Sequence, residues 1–83
     1  MEYSIDCLYS YVNKEEVTVK RYLLAFKEDD NSKIKNVEFD VEYAKEENKA
    51  DYIRIIEGES DDLTNEELGA VYYILDRWAI NNI

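Results

Sequence analysis

Histidine and proline are absent from this chain of 83 residues, and it contains only two glycines. Without histidine, neither a Ser–His nor a Cys–His catalytic arrangement can be formed. Two glycines are too few for a phosphate-binding loop or a dinucleotide fingerprint. Paired carboxylates remain available, but among 20 acidic residues some must lie close together by abundance alone. We therefore predict that the chain is not an enzyme and that it uses no cofactor.

Cysteine is nearly absent as well, since Cys7 is the only one in the chain. A single cysteine cannot form an internal disulfide, and no apolar run approaches the roughly 18–20 residues of a membrane span. The N-terminal residues lack the basic flank of a signal peptide. We expect a cytoplasmic protein, in which Cys7 is a small core residue beside Tyr3 and Ile5.

Metal ligands are not arranged in any known spacing. The run Glu57–Asp62 has acids at alternating positions, as the start of an EF-hand loop does. Its sixth position is Asp62, where that loop needs glycine, and its twelfth is Leu68, where a bidentate Glu belongs. We predict no metal site.

Positive charge is scarce, since the chain has 10 basic and 20 acidic residues and therefore a net charge of −10. A surface of this sign repels phosphate backbones and anionic membranes. It favours fast, salt-sensitive association with a basic surface on another protein. We therefore predict a protein partner and no direct contact with nucleic acid or membrane. The sequence does not determine the oligomeric state of the chain.

The length allows one domain, residues 1–83, and 46% of its residues are hydrophobic. Residues alternate along the first segment, where only Leu8 breaks the pattern, and again along a third segment near 34–43. The alternating apolar sets are Tyr3, Ile5, Cys7, Tyr9 and Tyr11, and then Val37, Phe39, Val41 and Tyr43. We predict an α+β fold: an antiparallel meander of about four strands near 2–12, 16–27, 34–43 and 52–57, covered by a C-terminal helix.

The second segment is open to two interpretations. Its β-branched start, Val17–Val19, favours a strand, with a bulge near Lys20 and Arg21 where the apolar face switches. The same segment also has apolar residues at helical spacing, namely Val19, Tyr22, Leu23 and Phe26. A helix at this position would convert the fold to βαββα. A polar stretch, residues 44–51, leads from the third segment to the fourth.

The start of the C-terminal helix can be predicted from the sequence, because Thr64 and Glu67 form a capping box. We expect it to run from about Asn65 to Ile80. Its apolar face comprises Leu68, Val71, Tyr72, Leu75, Trp78 and Ala79. Of these, we expect Leu68, Val71, Leu75 and Trp78 to be buried against the sheet.

Two groups of acids are candidate partner-binding residues. Six acids occur between residues 57 and 67 without a base: Glu57, Glu59, Asp61, Asp62, Glu66 and Glu67. Glu38, Asp40 and Glu42 share one strand face at intervals of about 6.7 Å. This row is either a binding face or the charged solvent face of an edge strand, which prevents aggregation.

Eight tyrosines supply a second candidate for binding, because tyrosine is enriched at interaction hot spots. We expect four of them to point inward: Tyr3, Tyr43, Tyr52 and Tyr72. We expect Tyr73 and some of Tyr9, Tyr11 and Tyr22 to be exposed.

In its small size, its acidity and its lack of histidine, the chain resembles the anti-CRISPR and anti-restriction inhibitors of phages and mobile elements. The acid run Glu57–Glu67 carries this resemblance, which extends over the whole chain but includes no motif, so no functional residue is transferred. It implies a non-enzymatic, DNA-mimicking inhibitor that blocks the nucleic-acid or PAM-reading site of a bacterial nuclease complex. Immunity proteins or antitoxins that neutralise a basic toxin, and generic interaction domains, are the alternatives.

Overall fold

The computed structural model describes residues 1–44 and 50–82. Within them the elements are β1 (Glu2–Val12), β2 (Thr18–Lys27), β3 (Lys35–Tyr43), β4 (Ala50–Ile56), a 3-10 turn (Glu57–Glu59) and α1 (Asn65–Asn82). The strands form one antiparallel sheet in the order β1-β2-β3-β4. The predicted α+β meander with a C-terminal helix is confirmed. The βαββα alternative is wrong, because residues 18–27 form a strand.

Strand β4 begins two residues before its predicted start and ends one residue before its predicted end. Of the predicted polar connection 44–51, residues 45–49 lie outside the described ranges. No helix within the described ranges has the length and apolar character needed to cross a membrane.

Helix α1 begins at the predicted capping box. The Glu67 N–H donates to Thr64 Oγ1 at 3.1 Å, and Glu67 Oε1 accepts from the Thr64 N–H at 2.8 Å. The helix then packs one face on the sheet, where it completes a core of eight buried side chains. These are Leu24, Phe26, Val37, Phe39, Val41, Val71, Ile74 and Leu75.

The buried stripe of α1 differs from the predicted one. Val71, Ile74 and Leu75 are buried, whereas Trp78, which was predicted to be buried, is half-buried with its ring centroid 4.8 Å from that of Tyr22 in an edge-on arrangement. These residues occupy positions i, i+3, i+4 and i+7, which form one face of a helix. Tyr72 lies on a different side and is 54% exposed, so its predicted burial is wrong. Leu68 was also predicted to be buried, but it is only half-buried.

Strand β1 lies at the edge of the sheet, beyond the main contact of α1. A helix is about 10 Å wide and strands lie about 4.8 Å apart, so α1 covers the strands nearest to it and not all four. Ile5 is half-buried in β1, whereas every other residue of this strand is exposed. The predicted burial of Cys7 and Tyr3 is therefore wrong.

A β-bulge interrupts β1 between Cys7 and Tyr9. Leu8 is the extra residue, so Cys7 pairs with Tyr22 whereas Tyr9 pairs with Arg21. The predicted bulge was therefore placed on the wrong strand of this pair, since it was expected in β2. Because one extra residue reverses the alternation, Tyr9 and Tyr11 lie on the opposite face of the sheet from Cys7.

Candidate functional site

The sheet face turned away from α1 is called the open face. Leu24 and Phe26 pack with the helix, so the odd-numbered residues of β2, including Val19 and Arg21, point to the open face. Two rows of cross-strand partners follow from the register. The first row is Tyr9, Arg21, Asp40 and Arg54; the second is Tyr11, Val19, Glu42 and Tyr52.

A buried carboxylate lies at the centre of the first row. Asp40 is only 1% exposed, although it lies on the face turned away from α1. Arg21 donates from Nε to Asp40 Oδ1 and from Nη2 to Oδ2, the latter at 3.2 Å. The Tyr11 hydroxyl donates to Oδ2 at 3.2 Å, and Arg54 Nη2 lies 3.7 Å from the same oxygen. Arg21 also contacts Glu38, with 3.2 Å between Nη1 and Oε1.

These contacts shift two pKa values. The hydrogen bond to Asp40 raises the pKa of Arg21 above its ordinary value, so this guanidinium stays charged. Partial burial, followed by the charge of Asp40, raises the pKa of the Tyr11 phenol. Tyr11 therefore remains a protonated donor to Asp40 throughout the neutral range.

The network also positions aromatic rings on the open face. The Tyr9 ring lies over Arg21, with 5.7 Å from the guanidinium carbon to the ring centroid, and the Tyr9 and Tyr11 centroids are 6.2 Å apart. Both tyrosines are exposed. Ion pairs buried in this way seldom stabilise a fold more than apolar residues would, and their better-attested effect is to fix geometry. The open face thus presents two tyrosine rings in a fixed arrangement.

The predicted row of acids is placed on this face, but it is not a row of free charge. Glu38, Asp40 and Glu42 do share the open face, on an inner strand and not on an edge strand. Asp40 is buried between its register partners Arg21 and Arg54, and Arg21 also reaches diagonally to Glu38 on the same strand. The Glu42 carboxylate has no hydrogen bond or ion pair among the described residues. The expectation of a solvent-facing acid row is thus wrong for Asp40.

A cavity of about 460 Å³ lies at the Glu42 end of the open face. Tyr11 and Tyr52 line opposite sides of it, and Val19 and Glu42 lie between them in the register. Val19 is 2% exposed, so the floor beside the carboxylate is apolar and closely packed. This cavity is called the tyrosine trough.

The β1–β2 turn forms one end of the trough. Asn13 Oδ1 accepts hydrogen bonds from the Glu15 and Val17 N–H groups at 2.9 and 3.0 Å. Glu16 has a φ of 63°, a left-handed conformation that is unfavourable for a residue other than glycine. The turn is therefore held in one shape by its own hydrogen bonds.

The second candidate surface is the acidic segment, defined as Glu57–Asp62. Its four acids are exposed, yet its backbone is fixed to β3. Asp61 Oδ2 accepts from the Asn36 N–H at 2.8 Å, and the Asp61 N–H donates to the Asn36 carbonyl at 2.9 Å. Ser60 Oγ accepts from the Glu38 N–H at 3.0 Å. These charges are thus presented from a rigid backbone.

The two remaining candidate acids lie in the first turn of α1. Glu66 is exposed, whereas Glu67 is half-buried in the capping box. The backbone hydrogen bond from Thr64 lowers the pKa of Glu67 and holds its carboxylate at the start of the helix. Lys35 Nζ lies 4.0 Å from Glu67 and donates to the Asp62 carbonyl at 3.1 Å. Glu66 can therefore extend the acidic segment, and Glu67 is structural.

Beside the acidic segment is a cavity of about 260 Å³. Apolar side chains line it together with the acids, and among them are Ile55, Leu63 and Leu68. Tyr72 also lines it and is more than half exposed. Aromatic side chains in such hollows are frequent anchors at protein interfaces, so this cavity adds apolar contact area to the charged surface.

The tyrosines are distributed differently from the prediction. Tyr3, Tyr52 and Tyr72, expected inside, are exposed, and Tyr43 is half-buried. Tyr73 is exposed, as expected. Sequence reasoning also missed Arg21 and Arg54, because their importance arises from cross-strand register, which residue spacing within one strand does not report.

Among the described residues, no group of three His, Cys, Asp or Glu side chains converges as a metal site would. Comparison with protein families, with curated proteins and with solved structures found no match to this chain. The open face and the acidic segment are therefore the two candidate binding surfaces.

Proposed function

We propose that this chain is a non-enzymatic inhibitor that binds a basic surface of another protein, as anti-CRISPR and anti-restriction proteins do. In this proposal the partner is a nucleic-acid enzyme of a bacterial defence system, and the inhibitor acts in the cytoplasm of the host cell. It covers the groove that otherwise holds nucleic acid.

The observation that carries the proposal is the combination of exposure and rigidity in the acidic segment. Its four acids face solvent, while Ser60 and Asp61 accept hydrogen bonds from backbone N–H groups of β3 and hold the segment on that strand. A preorganised surface loses little conformational entropy on binding. A negative surface also steers a basic partner towards it, which raises the association rate.

The contacts of Asp40, the one buried carboxylate in the described core, agree with a non-enzymatic role. Asp40 is the kind of residue that acid–base catalysis would use, but Arg21 and Tyr11 already donate hydrogen bonds to it. A general base must reach the proton of a substrate. The oxygens of Asp40 point into the protein network instead.

Mimicry of nucleic acid, in this proposal, belongs to the acidic segment and not to β3. Glu38 and Asp40 are neutralised by arginines, so they cannot imitate phosphates. Glu57, Glu59 and Asp62 are exposed and their carboxylates bind no described residue. Glu66 continues this surface into α1. These are the groups that would meet the lysines and arginines of a nucleic-acid groove.

The test begins with capture of the partner from a bacterial lysate at low salt, followed by kinetics on the purified pair. The variant Glu59→Lys/Asp62→Lys reverses two carboxylates that have no structural hydrogen bond in the described residues. We expect its association rate to fall by about tenfold at low salt and its salt dependence to flatten, because exposed charges act mainly through steering.

The matched control is Glu2→Lys/Asp6→Lys, which makes the same change in net charge on β1, at the opposite edge of the sheet. It is expected to slow association much less. If both variants slow association equally, only net charge matters and the acidic segment is not the binding surface. If neither slows it, the charge-steered mechanism is wrong.

A further inference from the structure

We propose that the tyrosine trough is a binding site for one arginine side chain of the basic partner. This inference rests on the proposed function for the source of the arginine, and it names where that residue is anchored. The trough combines aromatic walls, an apolar floor and a carboxylate without a described partner, which together match the parts of an arginine side chain.

The register gives the dimensions of the site. Tyr11, Val19, Glu42 and Tyr52 are direct neighbours across four strands, so the two tyrosine backbones stand about 14 Å apart, or three strand spacings. The Tyr11 hydroxyl reaches Asp40 on β3, so its ring leans across β2, and the open space lies between this ring and Tyr52, beside Glu42. The volume of about 460 Å³ is ample for a guanidinium and its aliphatic stem.

Each part of the arginine meets a suitable surface. The stem lies against the exposed rings of Tyr11 and Tyr52, since Val19 beneath them is almost wholly covered. The guanidinium reaches the Glu42 carboxylate, which accepts two parallel N–H donors in the geometry that arginine offers and lysine does not. Tyr11 and Tyr52 flank the cation, and aromatic faces attract cations within about 6 Å.

The neighbouring network determines the charge of the site. Arg21 and Arg54 are matched by Glu38 and Asp40, so these four charges cancel. Arg54 lies towards Asp40, which leaves Glu42 available to an incoming cation. The remaining lining charges are Glu15 and Glu42 against Lys14. The trough is thus net negative and favours a cation over a phosphate or carboxylate.

The trough and the acidic segment can contact the same partner. Asn36, which holds Asp61, is six residues from Glu42 along β3, and this corresponds to about 20 Å. A standard interface buries about 800 Å² on each partner, which is wide enough to include both. The acidic segment would then set the association rate and the trough the dissociation rate.

The test uses amide NMR spectra of the intact chain titrated with a capped Gly-Arg-Gly peptide. The comparison peptide contains citrulline, which has the shape of arginine without the charge. We expect shifts at Val19, Glu42 and Tyr52, with a dissociation constant on the order of 1 mM for arginine and about tenfold weaker binding of citrulline.

Glu42→Gln is expected to weaken the affinity for the arginine peptide by about tenfold, and Tyr52→Ala by a similar factor. Glu57→Gln, which removes one charge from the acidic segment, is the matched control and should change this affinity by less than about twofold. Urea unfolding of each variant verifies that the fold is retained, which is expected because Tyr52 is more than half exposed and neither side chain belongs to the described core.

Equal affinity for arginine and citrulline, shifts confined to residues 57–62, or no shift at about 20 mM peptide would each overturn this inference. An oligouridylate that shifts the trough resonances more strongly than the peptide would also overturn it, because the tyrosines would then form a base-stacking platform. Specific binding of the arginine peptide without competition between the chain and nucleic acid would leave the trough established and refute the proposed function alone.

Discussion

At the scale of single residues, the environment of a side chain depends on the strand beside it. Asp40 follows the same alternating pattern as Glu42, two residues away on the same face. Arg21 and Arg54 flank Asp40 in the register, whereas Val19 and Tyr52 flank Glu42. One carboxylate is therefore structural and the other is available for binding.

This difference gives a stability prediction. Asp40→Asn leaves the largely buried Arg21 guanidinium with Glu38 as its remaining carboxylate partner, and we expect it to lower the free energy of unfolding by about 2–3 kcal/mol. Glu42→Gln, the matched control on the same face, should change it by no more than about 0.5 kcal/mol. Urea denaturation measures both. Equal effects would mean that the Asp40 network does not stabilise the fold.

A second residue-scale prediction concerns tyrosine ionisation. Burial, followed by the hydrogen bond with Tyr43, raises the pKa of Tyr22, and burial raises that of Tyr11. An unfolded tyrosine loses its proton near pH 10, so above about that pH the unfolded state binds fewer protons than the folded state. Stability contributed by these groups is present below pH 10 and is lost as pH rises further.

The measurement is the phenolate absorbance of the folded chain during an alkaline titration. We expect a late component that Tyr22→Phe removes and that Tyr11→Phe reduces. Tyr73→Phe, which changes an exposed ring on the outer side of α1, serves as the reference variant. If Tyr22→Phe leaves the late component intact, the assignment of this buried phenol is wrong.

At the scale of elements, the bulge at Leu8 has the largest consequence. It moves Tyr9 and Tyr11 from the helix side to the open face, where they contact Arg21 and Asp40. Bulges commonly re-aim side chains in this way. If Leu8 were a regularly paired strand residue, both tyrosines would lie on the same face as Cys7.

Deleting Leu8 therefore tests the role of the bulge. The deletion joins Cys7 directly to Tyr9 and keeps Tyr9 opposite Arg21, so both tyrosines stay on the open face, and we expect the free energy of unfolding to change by no more than about 1 kcal/mol. Leu8→Ala keeps the bulge and shortens a side chain that is 45% exposed, so its effect should also stay below about 1 kcal/mol. A loss of more than about 2 kcal/mol on deletion, with Leu8→Ala close to the wild type, would show that Leu8 is a regular strand residue and not the extra residue of a bulge.

The start of α1 gives the other prediction at this scale. Thr64→Ala removes the acceptor of the Glu67 N–H, and we expect a loss of about 1 kcal/mol in the free energy of unfolding. Thr64→Ser retains a hydroxyl at the cap and should remain within about 0.5 kcal/mol of the wild type. A Thr64→Ala variant as stable as Thr64→Ser would contradict the capping role. Thermal or urea unfolding distinguishes these outcomes.

These elements also indicate what sequence patterns can and cannot predict. Alternation and the capping box located the four strands and the helix, because both are local signals. The position of Leu8 was visible as a break in alternation, but its effect on Tyr9 and Tyr11 depends on pairing with β2. The same holds for Arg21 beside Asp40. The trough and the ionic network could not be predicted, because they are formed by residues brought together only by register.

At the scale of the whole molecule, the net charge of −10 acts on folding and on binding in opposite ways. Like charges repel within the folded domain, so added salt should relieve that repulsion and stabilise the free chain. The same salt screens attraction to a basic partner. Loss of binding at high salt accompanied by a rise in melting temperature would therefore reflect screening and not unfolding.

The most direct test of the proposed function is a competition titration between this chain and labelled nucleic acid for the captured partner. Performed at two salt concentrations, it should show that the chain displaces the nucleic acid, and that Glu59→Lys/Asp62→Lys displaces it less effectively at the lower salt concentration. Simultaneous binding of the chain and the nucleic acid, with neither weakening the other, would contradict the account.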